Sequence, residues 1–426
     1  MFEPRFPASV DQIRFDDPEF WNAPAEDREG AFALLRSERP MSFHEEFTPP
    51  PEIPLPKGPG YWSVTRMADV LTASRRSDLF CSGRGVQIVD LPAELNEFFG
   101  SMIAMDDPRH ARLRRIVARG FTPRALASLQ HDVERRATAL IDAVIDRGEC
   151  DFVGMIAAPL PLGIICDMMG IPESQTRFVF EQTNIILGLG DPEYVTPGTS
   201  PLIAALDAGR GLAQLMNELA IERRKNPTDD LTSQLLSAEV DGESLSDQEL
   251  ASFFVLLVVA GNETTRNAIS HGMKALSDHP DQRRKWVGDF AAIAPSAVEE
   301  IVRWASPVIH FRRTVTADTE LGGQKLRAGE KIVLWYNSAN RDEAAFEEPY
   351  RFDVTRAPNE HVGFGGPGAH HCLGANLARR EITVVFRELL RRLPDLEISG
   401  APEMLRSNFI HGIKRMPCRF TPGGSC

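Results

Sequence analysis

The chain has 426 residues, 47 Lys and Arg against 60 Asp and Glu, and six cysteines. A composition of 42% hydrophobic and 25% charged residues is that of an ordinary globular protein, and the length suits two to three domains or one large one. A formal charge of −13 argues against nucleic acid as the main partner, because phosphate binding leaves a basic footprint. No run approaches the ~18 consecutive apolar residues that a membrane span needs, and the longest, Phe253 to Ala260, is under half of that.

The opening segment MFEPRFPASVDQIRF carries charge and proline where a signal peptide needs an apolar core, which points to a cytoplasmic protein without a membrane anchor. Cys81, Cys150, Cys166, Cys372, Cys418 and Cys426 form no CxxC pair, so neither a disulfide framework nor a zinc finger is indicated. The proline-rich stretch Pro49 to Gly60 reads as a surface loop and leads into YWSVTR, a strand. Helical periodicity dominates from Pro108 to Pro307, with segments around 107–119, 125–147, 159–169, 201–225, 246–277 and 295–305. The stretch TVTADTELGGQKLRAGEKIVLWY then reads as strand, Gly-Gly turn, strand, and a second turn at Ala328-Gly329. A final helix is expected from about Leu373 to Leu393. The fold class is mainly α, an α+β order rather than alternating βαβ.

One helix stands apart. Ser246-Asp247-Gln248-Glu249 is a capping box, and the pattern beyond it runs without proline to Ser277, roughly 48 Å at 1.5 Å per residue. Its middle holds Ala260-Gly261-Asn262-Glu263-Thr264-Thr265. Ala260, Glu263, Thr264 and Asn267, at three- and four-residue spacing, are expected on one face. A carboxylate and a hydroxyl in an apolar helix are costly to bury unless paired or used; the alternative is a helix kink with Thr264 bonded back to a carbonyl one turn earlier.

A second constellation is HVGFGGPGAHHCLGANLARRE, His361 to Glu381, a glycine-rich loop ending in Cys372 directly before a helix. The helix dipole and unpaired amides there favour a thiolate, the form that binds metal or acts as nucleophile. A buried cysteine in a turn, a zinc site at His370-His371-Cys372, and a phosphate loop are the competing readings; the last lacks the Lys-Ser/Thr of a P-loop. A third is the pair Glu300 and Arg303, whose spacing alone equally describes a solvated ion pair, and a fourth is His110 with Arg114, one turn apart and suited to a carboxylate or phosphate ligand, with a solvated basic helix as the competing reading.

Together, in this order, these elements resemble cytochrome P450. The resemblance rests on Ala260 to Thr265, Glu300-Ile301-Val302-Arg303, Asn340-Arg341-Asp342 through Phe352 to Arg356, and Gly368 to Gly374. Over nearly its whole length the chain is most similar to the bacterial haem-thiolate enzymes that hydroxylate methyl-branched lipids at the chain terminus. The resemblance implies one P450 domain over 1–426, with 1–40 packed onto it and a β-rich lobe mainly at 50–80 and 306–340. It implies haem b ligated by Cys372, with Phe364 in the ligand loop, and propionates held by His110, Arg114, Arg313 and His370. It further implies Thr264 and Glu263 handling protons for O₂ activation, Ala260 leaving room for oxygen and substrate, and Glu300, Arg303 and Arg356 as a structural ion-pair network.

The implied pocket is walled by Leu257, Val258, Val308, Ile309, Phe409 and Ile410, which suits an extended apolar lipid. Electrons are expected from ferredoxin and ferredoxin reductase, reaching a monomer through a basic patch of Arg109, Arg112, Arg115, Arg379 and Arg380. Phe364 lies eight residues before Cys372 where the family's commonest spacing is seven, which puts its usual stacking role in question. A terpenoid or sterol hydroxylase shares every catalytic residue. A haem sensor would not need the Glu263-Thr264 pair.

Overall fold

The computed structural model describes residues 2–49, 55–195, 198–240 and 242–423. Of the loop expected at Pro49 to Gly60, residues 50–54 lie outside the described residues, as does Cys426. The capping box forms as read: Ser246 Oγ accepts from the Glu249 amide at 3.1 Å, and the Glu249 carboxylate accepts from the Ser246 amide at 3.0 Å. From it the central helix runs Asp247–Asp278, 32 residues, and ends before Pro280. Its Phe253–Val258 stretch is buried on every side, because neighbouring helices enclose it: Pro159–Met169, Glu173–Leu187, Pro201–Lys225, Phe290–Ala305 and Ala375–Arg392. One continuous apolar core, reaching from Met102 to Phe420, is built around this rod.

Several boundaries moved, each for a local reason. The segment expected at 125–147 is two helices, Pro123–Ser128 and Gln130–Asp142. The one expected from Pro295 begins at Phe290, capped by Asp289, whose carboxylate accepts from the Ala292 amide. Pro295 forfeits one backbone bond, but burial of Ala294, Ala297, Val298, Ile301 and Val302 carries the helix through it. The helix Glu173–Leu187, whose apolar residues are less regularly spaced, had no counterpart in the periodicity reading.

Five strands form one sheet in the spatial order Met41–His44, Tyr61–Val64, Lys331–Trp335, His310–Val315, Phe80–Cys81. The first strand falls just before the lobe read at 50–80, and a four-residue strand carries too few alternations to be read. The Gly-Gly turn is as expected, with Gly322 and Gly323 at φ +56° and +79° joining Thr319–Leu321 to Gln324–Leu326. The N-terminal segment packs on this sheet through an aromatic cluster, with Phe15 and Trp21 ring centroids 4.9 and 5.4 Å from Trp335. Among the described residues no single helix is long and apolar enough to cross a membrane.

Candidate active site

In the middle of the buried central helix, Ala260 is exposed and Gly261 and Thr264 are half-buried, so the rod presents an open step there. The Thr264 hydroxyl donates to the Ala260 carbonyl at 2.8 Å, which leaves the oxygen's lone pairs to accept from the open side. Glu263 does not share this step. It is 1% exposed and ion-paired to Arg266, and Asn267 is buried beside it, the Asn267 side-chain Oδ1 accepting from the Ile413 amide. Consecutive helical residues stand about 100° apart, so Glu263 and Thr264 occupy opposite edges of the face expected to hold both.

The cysteine loop is held by its own backbone and by a helix beneath it. The Cys372 amide donates to the Phe364 carbonyl at 2.9 Å. At Gly368, φ +145°, a Cβ would lie 2.2 Å from the Ser74 carbonyl oxygen, so only glycine lets the loop rest on the Met67–Arg75 helix. Burial pushes the Cys372 thiol up, opposed by the Gly374 and Ala375 amides at the start of the next helix and by Arg114 and Arg379. The residue nonetheless keeps accessible surface. Phe364 has the Arg379 guanidinium 4.5 Å from its ring centroid, so its ring carries a cation and supports the loop.

The four residues expected at the propionates bear on one another. The His110 and His370 rings lie 4.3 Å apart, and Arg114 donates to the His371 carbonyl at 2.6 Å. Burial, followed by the charges of Arg313, His110 and Arg114, drives His370 down to about 2. His110 bonds Asp107 through Nδ1 at 3.2 Å, while its buried Nε2 has no partner. A concentration of cations with an unpartnered buried ring nitrogen, beside an enclosed thiol, fits a flat cofactor that carries two carboxylates and a thiol-ligated metal. The zinc reading fares worse: among the described residues no three His, Cys, Asp or Glu converge.

Behind the loop the ion-pair network is as expected, and more complete. Arg303 donates twice to Glu300 at 2.8 Å and also to the Asn340 and Pro349 carbonyls. Glu300 further accepts from the Asp353 amide, Asn359 and Arg356. Next to it Glu299 holds both His361 and Arg379. Burial would raise this acid, but the two partners outweigh it and hold it at about 2.

The expected pocket walls divide. Val308 and Phe409 are half-buried, Val308 pairs with Ile410 in an isolated bridge, and Leu257 lies on the central helix one turn before Ala260. Val258 does not belong with them: it has no exposed surface, because it stands about 200° around the helix from Ala260 and faces the core. Ile309 likewise points away from Val308, as alternate residues in extended chain do, and packs in the N-terminal aromatic cluster. The basic patch is partly neutralised. Arg109 pairs with Glu97, Arg112 with Glu243 and Glu249, and Arg379 with Glu299.

Other groups that bear on the site come from distant segments, and no sequence spacing announced them. Arg266 donates to the Asn184 side-chain oxygen at 3.1 Å and lies over the Phe180 ring, both on the Glu173–Leu187 helix. The loop after that helix is tied by Lys414, on the strand Ile413–Arg415, which lies 3.0 Å from Asp191 and 2.9 Å from Glu193.

A cysteine at a helix start, an alcohol on an open step of the central helix, and clustered cations are compatible with a haem-thiolate site. The comparisons agree. The family model described as Cytochrome P450 matches residues 293–404. The Mycobacterium tuberculosis (strain ATCC 25618 / H37Rv) methyl-branched lipid omega-hydroxylase is 52% identical over 415 residues, 96% of this chain and 94% of the relative. A Rhodococcus jostii (strain RHA1) steroid C26-monooxygenase is 41% identical over 432 residues, covering 100% of this chain and 88% of the relative. Among solved structures, Mycobacterium marinum cytochrome P450 CYP268A2 in complex with pseudoionone superposes with a TM-score of 0.92 at 46% identity, covering 97% of this chain and 100% of that one. The chain belongs to the cytochrome P450 family. It is a monooxygenase with haem b as cofactor, and it uses O₂ and electrons from an external donor.

Proposed function

We propose that this enzyme hydroxylates the terminal carbon of methyl-branched lipids, working as a cytoplasmic monomer with electrons from ferredoxin and its reductase. The observation that carries the reading is the 52% identity to a methyl-branched lipid omega-hydroxylase, which extends over 96% of the chain. The apolar residues read as pocket walls, Leu257, Val308, Phe409 and Ile410, suit an extended aliphatic ligand.

In this reading Cys372 holds the haem iron, and His110, Arg114, Arg313 and His370 hold its carboxylates. The bound haem supplies oxygen activation and C–H cleavage. The chain's own part is to place the substrate's end methyl at Ala260, to keep water ordered at Thr264, and to bring protons to the Thr264 hydroxyl from Glu263. The reduced donor meets a surface groove of about 440 Å³ lined by Arg379, Arg380 and Arg387 with Gln130 and Asn376. Changing Arg380 and Arg387 together to Glu should slow reduction by an acidic ferredoxin, and unchanged reduction kinetics would remove that docking face.

The substrate reading is tested by the spin-state change of the haem on titration with branched fatty acids, prenyl lipids and sterols, followed by product analysis. Branched acids should bind tightest and give the terminal alcohol. Tighter binding of sterols, or oxidation at internal carbons, would overturn it. Steroid oxidation is the second reading, favoured by the 41% identity to the steroid C26-monooxygenase.

A further inference from the structure

Two thiols outside the haem site meet across a small sheet. The strand Pro417–Arg419 lies between Glu397–Ile398 and Glu149–Asp151 in a three-stranded antiparallel sheet, with Glu149–Asp151 at its edge. Cys150 and Cys418 stand directly opposite one another. Residues so placed share a face, with Cα atoms about 4.5–5.5 Å apart. Their sulfurs are 3.4 Å apart. A disulfide needs Cα atoms about 4.4–6.8 Å apart and sulfurs about 2.05 Å apart, so closure draws the two sulfurs together by about 1.4 Å and leaves the strand register intact. Among the described residues no other two thiols touch.

The pair is unequal in a way that assigns roles. Cys150 is half-buried on the edge strand, whereas Cys418 is buried. The Cys418 thiol beside it draws the Cys150 thiol down and Arg147 adds to this, against burial and Asp151. Cys418 is pushed up by Cys150 and by burial. Cys150 is therefore the thiol that an oxidant reaches and the one that supplies thiolate. The backbone on both sides is already fixed. The Asp151 carboxylate accepts from the Met416 amide at 2.8 Å and from the Gly154 amide at 3.1 Å. The Phe152 amide donates to the Met416 carbonyl at 2.9 Å, and the Phe420 amide to the Gly148 carbonyl at 2.8 Å.

We propose that Cys150 and Cys418 form a peroxide-responsive modification site, at which Cys150 is oxidised and Cys418 closes a reversible disulfide onto it. The oxidant is hydrogen peroxide. The Cys150 thiolate attacks one peroxide oxygen, the O–O bond breaks, and the departing hydroxide takes up a proton to leave as water. The Cys418 sulfur then attacks the Cys150 sulfenic acid, the S–O bond breaks, and the hydroxide leaves as a second water with the Cys418 proton. Two thiols lose two electrons in all, and one peroxide gains them. In a reducing compartment such a bond is transient and opens again with thiol reductant. Its effect on the fold is local to a junction. Glu149–Asp151 leads into the single-turn helix Val153–Ala157 and the helix Pro159–Met169, both packed on the central rod. Cys418 follows Ile413, whose amide is held by Asn267 of the same rod. The bond therefore fastens the end of the chain to a segment 268 positions earlier.

The test uses the haem-loaded, fully reduced enzyme and a small excess of hydrogen peroxide. After alkylation of the remaining thiols, peptide mapping by mass spectrometry should show the Cys150 and Cys418 peptides joined. The pair should be lost from the alkylated pool about tenfold faster than Cys81 or Cys166. Dithiothreitol should restore both thiols, and the cross-linked form should unfold at a temperature about 5 °C higher than the reduced form. In Cys418→Ser a sulfenic acid at Cys150 should accumulate and be trapped by dimedone, while Cys150→Ser should leave Cys418 unmodified. Persistence of both thiols in the wild-type enzyme, oxidation of Cys150 without cross-linking, joining to a cysteine of another molecule, or equally fast loss of Cys81 or Cys166 would each overturn the proposal. Should either serine variant fail to retain haem, the wild-type peptide map decides alone.

Discussion

Two Glu–Arg pairs at the same helical spacing are buried in this protein, and they are built on different terms. Glu300 and Arg303, behind the cysteine loop, have no exposed side-chain surface and spend their hydrogen-bonding capacity on backbone carbonyls, an amide, Asn359 and Arg356. Glu263 and Arg266, on the central helix, are as deeply placed yet leave an oxygen and a nitrogen without partners. A pair that ties several loops together and has every charge answered acts as a brace. A pair that is poorly answered, and is held chiefly by one neighbouring helix, lacks that bracing.

The largest expected effect tests the brace. Arg303→Met removes the main partner of buried Glu300 and leaves Arg356 as its remaining cation, a loss of about 3–5 kcal/mol. It should appear in denaturant unfolding and as failure to retain haem. Arg303→Lys should rescue little, since an ammonium cannot reproduce the guanidinium's fork. If Arg266→Met proves equally destabilising, the contrast between the two pairs collapses.

Next in size is the chemistry beside the second pair. Thr264→Ala should retain haem and substrate binding while product per electron pair falls at least about tenfold and peroxide rises. Well-coupled turnover in that variant would contradict the role given to its hydroxyl.

A third prediction concerns Glu299, the neighbour of the brace, whose carboxyl is held at about 2 against an ordinary 4.5. A depressed acid contributes stability that is fully present above about pH 4.5 and lost as pH falls from there towards 2. Glu299→Gln should therefore flatten the acid limb of the stability curve between pH 5 and 2 without changing its slope above pH 6. The smallest effect is expected far from both pairs: Ser246→Ala removes one half of the capping box and should cost about 1 kcal/mol of unfolding free energy.

What could be read from the chain and what could not follows the distance between partners. The capping box and the Gly322-Gly323 turn each lie within a few residues, so spacing alone exposes them, whereas the burial of the equally local Glu300–Arg303 pair was implied only by the resemblance. Cys372 was legible because a loop and a helix start meet at it in sequence. Asn184 on Arg266, His361 and Arg379 on Glu299, and Trp335 under Phe15 join segments tens to hundreds of residues apart. Periodicity also has limited angular resolution. It grouped Glu263 with Thr264, and the resemblance set Val258 beside Leu257, although adjacent helical residues point about 100° apart.

The central helix has one more consequence. Near its N-terminal end Glu249 is paired with Arg112, and Ser252 donates to the Glu97 carbonyl at 2.6 Å. Near its C-terminal end Ser277 accepts from the Ile398 amide at 2.9 Å. The rod of 32 residues has no internal proline and is fastened towards both ends. It therefore serves as the molecule's datum. When forms of the enzyme with and without substrate are superposed on these residues, whatever has shifted is the moving part, and the rod's amides should be among the last to exchange with solvent.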